Sequence, residues 1–198
     1  MKTEVYLFRI GNLYLGNYKL PRNIQSHCDA SYHIESKKAV SMSMYINLCK
    51  TLEKKGHNPE NLYFDDNGKP KMGGVFFSVS HSKDYYGFAI SHDEIGFDLE
   101  EIVPENRVDG LAKTVLTIRE KTLLEKAKDQ REFVTERWCV KEGFGKLIGR
   151  GLCKESITKD DAPYKRVKVG DTLAVVVFNQ KADNVSYFLD GEPYNGKR

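Results

Sequence analysis

Trp138-Cys139-Val140-Lys141-Glu142-Gly143-Phe144-Gly145-Lys146-Leu147 sets an aromatic ring, a carboxylate and two lysines at helical spacing. Residues four apart share one helical face, so Trp138, Glu142 and Lys146 form a stripe with Lys141 beside it. Phe133, Val140, Phe144 and Leu147 line the opposite side and face a core. Asp129 to Glu132 supplies an acidic start for this helix and Gly149-Arg150-Gly151 its stop. By itself such a helix is an ordinary amphipathic element with a solvated Lys-Glu-Lys front. Gly143 and Gly145 each cost a helix on the order of 1 kcal/mol against alanine, which points to something packed closely there.

Outward from that helix, Ile95 to Glu101 alternates as a strand. Ile95, Phe97 and Leu99 point to one face, so Gly96, Asp98 and Glu100 point to the other. Two carboxylates on one strand face stand roughly 6 to 7 Å apart at their α-carbons, close enough to converge on one hard cation. Gly96 beside them leaves room for a ligand. Val75 to Val79 and Tyr85 to Ser91 read as the preceding strands, with Ser80-His81-Ser82 at the end of the first and His92-Asp93-Glu94 as a turn after the second. Asp65-Asp66-Asn67-Gly68-Lys69-Pro70 is a loop, because Asn-Gly tolerates positive φ and proline fixes the exit.

Farther out, the spacing of Val40, Met44, Leu48 and Leu52 predicts a helix over 34–54, with Lys37 and Lys38 in its first turns and Gly56 as its stop. Glu4 to Ile10 is a predicted strand. Thr117-Ile118-Arg119-Glu120 has the capping-box pattern and opens a helix to about Lys128. Thr172 to Phe178 and Val185 to Leu189 are predicted strands around the polar turn 179–184, followed by a frayed tail ending in Lys197-Arg198. A strand–helix–strands order occurs in each half. That order would allow an α+β fold of two similar α/β subdomains, residues 1–92 and 93–198, each a long helix against an antiparallel sheet.

Composition excludes several classes. The chain has 198 residues, 40% apolar and 30% charged, as in a soluble globular protein. No run approaches the roughly 18 apolar residues of a membrane span, and Met1-Lys2-Thr3-Glu4-Val5 enters a strand rather than a signal peptide, so a cytoplasmic protein without membrane attachment is expected. Cys28, Cys49, Cys139 and Cys153 are widely spaced and read as reduced thiols rather than a disulfide framework or zinc site. A net charge of +3 is far below the basic stripe of a nucleic-acid binder, and it mildly favours an acidic or phosphorylated partner.

Two strand carboxylates, a helix carboxylate and several lysines are the kit for a magnesium ion held against a phosphorylated substrate. Asp98 and Glu100 would be two ligands and Glu142 a third, with Lys141 and Lys146 serving the phosphates. Singly, each motif has a plain structural reading: Asp-x-Glu as a solvated strand face, His81 as a hydrogen-bonded strand end, Gly68-Lys69-Pro70 as a turn.

Taken in order, Gly68-Lys69-Pro70, Phe77-Ser78-Val79-Ser80-His81-Ser82, Ile95-Gly96-Phe97-Asp98-Leu99-Glu100 and Trp138 to Leu152 resemble the motifs of the 4′-phosphopantetheinyl transferases. The likeness is to the longer, pseudo-dimeric type that activates surfactin synthetase and similar assembly lines. It implies subdomains related by a pseudo-two-fold axis, an active site in the cleft between them, and a monomer. It implies transfer of the phosphopantetheine arm of coenzyme A to a serine of an acidic apo acyl or peptidyl carrier protein, releasing adenosine 3′,5′-bisphosphate.

By the same resemblance, Asp98, Glu100 and Glu142 hold Mg2+, with Mn2+ as a substitute. Glu142 deprotonates the attacking serine and Lys146 steadies the phosphate under attack. Ser80, His81, Lys69 and Pro70 contact coenzyme A. Lys38 is the nearest match to an arginine common in the family's first long helix, Tyr63 stands where a basic residue is usual, and Gly143 takes the place of the small residue after Lys-Glu. Two other classes share parts of the pattern. A non-catalytic protein binding coenzyme A or carriers would keep the fold without turnover. A magnesium-dependent phosphohydrolase or nuclease would share the acidic cluster but leave Trp138, Lys141 and the Ser80-His81 pair without a purpose.

Overall fold

The computed structural model describes residues 2–13, 16–31, 34–181 and 184–196. Lys197 and Arg198 of the expected frayed tail, and Ala182 and Asp183 of the turn before the last long strand, lie outside them. In chain order the elements are β1 (Lys2–Arg9), α1 (Arg22–Ser31), α2 (Glu35–Lys54), β2 (Tyr63–Phe64), β3 (Pro70–Lys71), β4 (Phe76–His81), β5 (Tyr85–Ser91), β6 (Ile95–Glu101), α3 (Val108–Val115), α4 (Ile118–Leu124), α5 (Gln130–Leu147), α6 (Lys154–Thr158), β7 (Tyr164–Val169), β8 (Thr172–Phe178), β9 (Asn184–Leu189) and β10 (Glu192–Pro193). The α+β class expected from the sequence is what the chain adopts.

The strands form a five-stranded sheet in the order β10-β9-β1-β5-β4, a three-stranded sheet in the order β6-β8-β7, and the small β2-β3 pair. Pairing is antiparallel except between β1 and β9, which run parallel. The two strands flanking turn 179–184 do not pair with each other. β8 joins the second sheet, while β9 crosses back to β1, so the chain's last strands belong to the sheet built by residues 2–91.

Side-chain alternation stacks these sheets. One face of the larger sheet, with Phe77, Tyr86, Phe88 and Ile90, packs on α1 and α2 through Ile24, Cys28, Met44, Leu48 and Leu52. Its other face meets the smaller sheet: Val5, Leu7 and Ala89 lie against Ile95, Phe97, Leu99, Val176 and Phe178. The far face of the smaller sheet, Leu173, Val175 and Val177, carries α5 through Cys139, Val140 and Leu147. β8 is buried along its whole length because both of its faces are covered, which is why its sequence is a continuous apolar run rather than an alternating one. α5 thus lies directly over β6 and β8.

Four elements carried weaker signals. α1 and α3 were not anticipated, although Ile24/Cys28 and Val108/Ala112/Val115 fall at helical spacing. α6 and β7 are short. α4 starts at the expected capping box, with Thr117 Oγ1 accepting from Glu120 N and a Glu120 carboxylate oxygen accepting from Thr117 N, but it ends at Leu124 rather than near Lys128.

Candidate active site at the β6–α5 junction

β4 and β6 are edge strands of different sheets, and serines join them. Ser78, Ser80 and Ser82 repeat at the two-residue period of a strand and so face one side. Ser78 Oγ accepts from Phe97 N at 3.0 Å, and Ser82 Oγ accepts from Glu101 N at 3.0 Å. Ser80 Oγ donates to Asp98 Oδ1 at 2.9 Å. Hydroxyls replace a backbone ladder along this seam, fixing the Ser80-His81 strand end beside Asp98.

Glycines mark where α5 lies close over β6 and β8 and where the chain turns back after it. A Cβ on Gly96 would stand 1.8 Å from Gly143 O, and one on Gly143 would stand 2.8 Å from Val177 Cγ2. Only bare backbone on both elements permits that approach. A Cβ on Gly145 would meet Gly151 O at 2.0 Å. Here the chain folds back after the helix, with Arg150 N and Gly151 N donating to Gly145 O at 3.0 and 3.1 Å.

This junction brings together Asp98, Glu100, Glu142 and Lys146. Asp98 is 3% exposed. Its Oδ1 accepts from Lys146 Nζ at 2.7 Å, and the same ammonium donates to Ser80 Oγ at 2.9 Å and Val79 O at 3.3 Å. Burial, then the Asp98 charge, pushes the Glu100 carboxyl up to about 8. The same two causes raise Glu142, partly offset by Trp138 Nε1, which donates to Glu142 Oε1 at 3.5 Å. Burial, then the Lys146 charge, lowers His81.

As the side chains stand, the three carboxylates do not converge: among the described residues no group of three His, Cys, Asp or Glu side chains is close enough together to hold one metal ion. Lys146 takes Asp98 Oδ1, and without a further cation Glu100 and Glu142 have reason to stay apart. The donor set nevertheless fits a hard cation. All donors are carboxylate oxygens, and Asp98 Oδ2 is buried with no hydrogen-bond partner.

Beside the junction opens a cavity of ≈ 420 Å³ whose wall includes Gly68, Lys69, Pro70, Lys146, Arg150 and Gly151. Asp65 Oδ1 accepts from Asn67 N and Lys69 N at 3.0 and 2.9 Å, shaping the loop, and Gly68 sits at φ 75°. Lys69 Nζ then donates to Leu147 O at 3.1 Å, a cation on the C-terminal carbonyls of α5. Burial lowers the Lys69 pKa. A larger cavity of ≈ 880 Å³ lies at the other end of α5, where Glu132 and Glu136 are already paired with Arg166, and none of the expected site residues lines it.

Two expected residues lie elsewhere. Lys141 is fully buried and turned away from the cavity. Its ammonium pairs with Glu120 at 2.8 Å and donates to Ile157 O at 2.7 Å and Lys159 O at 3.2 Å, so no surface of it is left for a phosphate. Lys38 Nζ bonds Asp29 on α1 at 2.7 Å, and the α2 cation whose field reaches His81 is Lys37. The sequence reading also missed Arg150 as a cavity residue. Gly149-Arg150-Gly151 was legible only as a helix stop, although an arginine between two glycines at a lysine-bearing helix end is the kind of signal that could have raised it.

Comparison with known proteins gives a consistent picture. The profile of the 4′-phosphopantetheinyl transferase superfamily matches residues 94–183, the segment holding β6 and α5. The holo-[acyl-carrier-protein] synthase of Mycoplasmopsis pulmonis is 34% identical over 90 residues, covering 44% of this chain and 80% of that protein. The 4′-phosphopantetheinyl transferase HetI of a Nostoc species is 32% identical over 110 residues, 50% of this chain and 46% of its own length. The 4′-phosphopantetheinyl transferase ffp of Bacillus subtilis is 34% identical over 85 residues, covering 42% and 37% respectively. The matched stretch thus spans less than half of the Nostoc and Bacillus relatives.

Proposed function

The chain belongs to the 4′-phosphopantetheinyl transferase superfamily, and on that premise we propose that it transfers the 4′-phosphopantetheine arm of coenzyme A to a serine hydroxyl of an apo acyl or peptidyl carrier protein, releasing adenosine 3′,5′-bisphosphate. The observation that carries this reading is the Gly96–Gly143 approach, which lays the Asp98/Glu100 strand against the Glu142/Lys146 helix beside a cavity walled by Lys69 and Pro70.

Asp98, Glu100 and Glu142 would hold a magnesium or manganese ion, which would supply charge stabilisation as the coenzyme's diphosphate is cleaved and adenosine 3′,5′-bisphosphate departs. The residues' own work follows from their surroundings. A serine hydroxyl has a very high pKa and needs a base in hydrogen-bond reach, and a carboxylate whose affinity for protons is raised by burial, as Glu142's is, suits that role. Lys146 brings an ammonium to the cavity wall and steadies the phosphate under attack. Ser80, His81, Lys69 and Pro70 contact the coenzyme, with positive charge from Lys37 on α2 reaching His81. Lys141 is assigned to holding α5 in place. The paired placement of α2 on the larger sheet and α5 on the smaller supports the pseudo-two-fold relation between halves 1–92 and 93–198, with the cavity between them as the cleft. A monomer acting in the cytoplasm on acidic carriers completes the reading.

The test is to incubate the protein with coenzyme A, Mg2+ and a panel of fatty-acid, polyketide and peptide-synthetase apo carriers, followed by intact-mass spectra. Gain of one phosphopantetheine arm on the carrier serine is expected. No shift on any carrier, with the protein folded and Mg2+ present, would reject the assignment.

A further inference from the structure

We propose that Arg150 is a phosphate-binding residue of the coenzyme cavity, and that Glu155 holds its guanidinium until the ligand arrives; the inference rests on the coenzyme A reading above. Arg150 lines the cavity together with Lys69 and Lys146. Its backbone is pinned while its side chain is not. Gly149 and Gly151 on either side sit at φ 72° and 61°, and the amides of Arg150 and Gly151 both donate to Gly145 O.

The other two cavity cations are committed within the fold. Lys69 donates to Leu147 O, and Lys146 donates to Asp98, Ser80 and Val79 O. Arg150 instead donates from Nη1 to Glu155 Oε2 at 2.9 Å, a pair whose side chains are 69% and 56% exposed. Such a pair is screened by water and contributes little, so it exchanges readily. A guanidinium fork matches two phosphate oxygens at once, and a phosphate carries more charge than the carboxylate it displaces. Exposed as its side chain is, Arg150 shares the wall of one cavity with half-buried Lys69 and Lys146, a convergence of cations that favours the small phosphorylated ligand over the acidic surface of a carrier.

Steady-state kinetics of Arg150→Ala, Arg150→Lys and Glu155→Gln, with melting temperatures, test this. Arg150→Ala should raise KM for coenzyme A roughly tenfold, the scale of one partly screened charge-assisted contact, leaving KM for the carrier and the melting temperature near wild type. Arg150→Lys should recover part of the loss, and Glu155→Gln should lower KM for coenzyme A by about twofold. An unaltered KM for coenzyme A in Arg150→Ala, or a rise confined to KM for the carrier, would overturn the proposal. If the wild type transfers nothing to any carrier, the enzymatic reading fails by itself. Calorimetric titration of coenzyme A into wild type and Arg150→Ala then still decides, because equal affinities would remove Arg150 from the site.

Discussion

Lys141 and Lys146 stand on the same helix and flank the same carboxylate, yet the fold uses them oppositely. Lys141 is sealed among Glu120, Asp160 and two carbonyls, tying α5 to the capped start of α4 and to the segment after α6. Lys146 reaches across to β4 and β6 and keeps part of its surface on the cavity. One face of α5 therefore fixes where the helix sits, and the other brings charge to the cavity wall. Residue type and spacing do not distinguish the two. What lies opposite each face does.

The largest expected effect separates the faces by activity. Glu142→Gln and Asp98→Asn should each lower transfer by about a thousandfold or more with circular dichroism and melting temperature close to wild type. Near-normal rates in both would leave the cavity face without a chemical role. Lys141→Met should instead act on stability, by about 3–5 kcal/mol, because it strands the buried Glu120 carboxylate. Adding Glu120→Gln, which removes the stranded charge but keeps an acceptor for Thr117 N, should recover much of that loss in a denaturation series. If the double variant is no better than the single one, the clamp is not an ion pair in its energetics.

Gly96→Ala tests the contact between the faces. Its Cβ would have to displace the backbone of Gly143, so a loss of about 1–3 kcal/mol is expected, together with slower transfer as α5 shifts from β6. A thermal midpoint and rate equal to wild type would mean the close approach is dispensable.

The smallest effect is one of pH. Glu100 titrates near 8 in the fold against an ordinary 4.5, so between those values the folded protein holds a proton that the unfolded chain has released. The stability this lends is whole below about 4.5 and is lost as pH rises through about 8. In metal-free buffer the melting temperature should fall from pH 5 to pH 8.5, and Glu100→Gln should flatten that fall. An unchanged slope in the variant would move the effect to another group.

The helix and the strand that build the site were readable because both have clean periods. Val140, Phe144 and Leu147 mark one side of α5, and Ile95, Phe97 and Leu99 mark one side of β6. Their mutual approach was not readable, since nothing local says that Gly96 and Gly143 touch across 47 positions. The serine seam was present as Ser78, Ser80 and Ser82, but its meaning depends on which strand edge lies alongside. Lys141 was misplaced for the same reason: its partners Glu120 and Ile157 come from elsewhere in the chain. The return of β9 to β1 depends on a parallel pairing between strands at opposite ends of the chain, which short-range turn signals do not encode.

In the proposed function, the β6–α5 junction recognises the coenzyme's diphosphate through a cation shared by Asp98, Glu100 and Glu142. Calorimetric titration of coenzyme A with and without Mg2+, on wild type and on Glu142→Gln, addresses it directly. Affinity should tighten with Mg2+ in the wild type and lose most of that gain in the variant. Equal affinity with and without the ion in the wild type would contradict the claim.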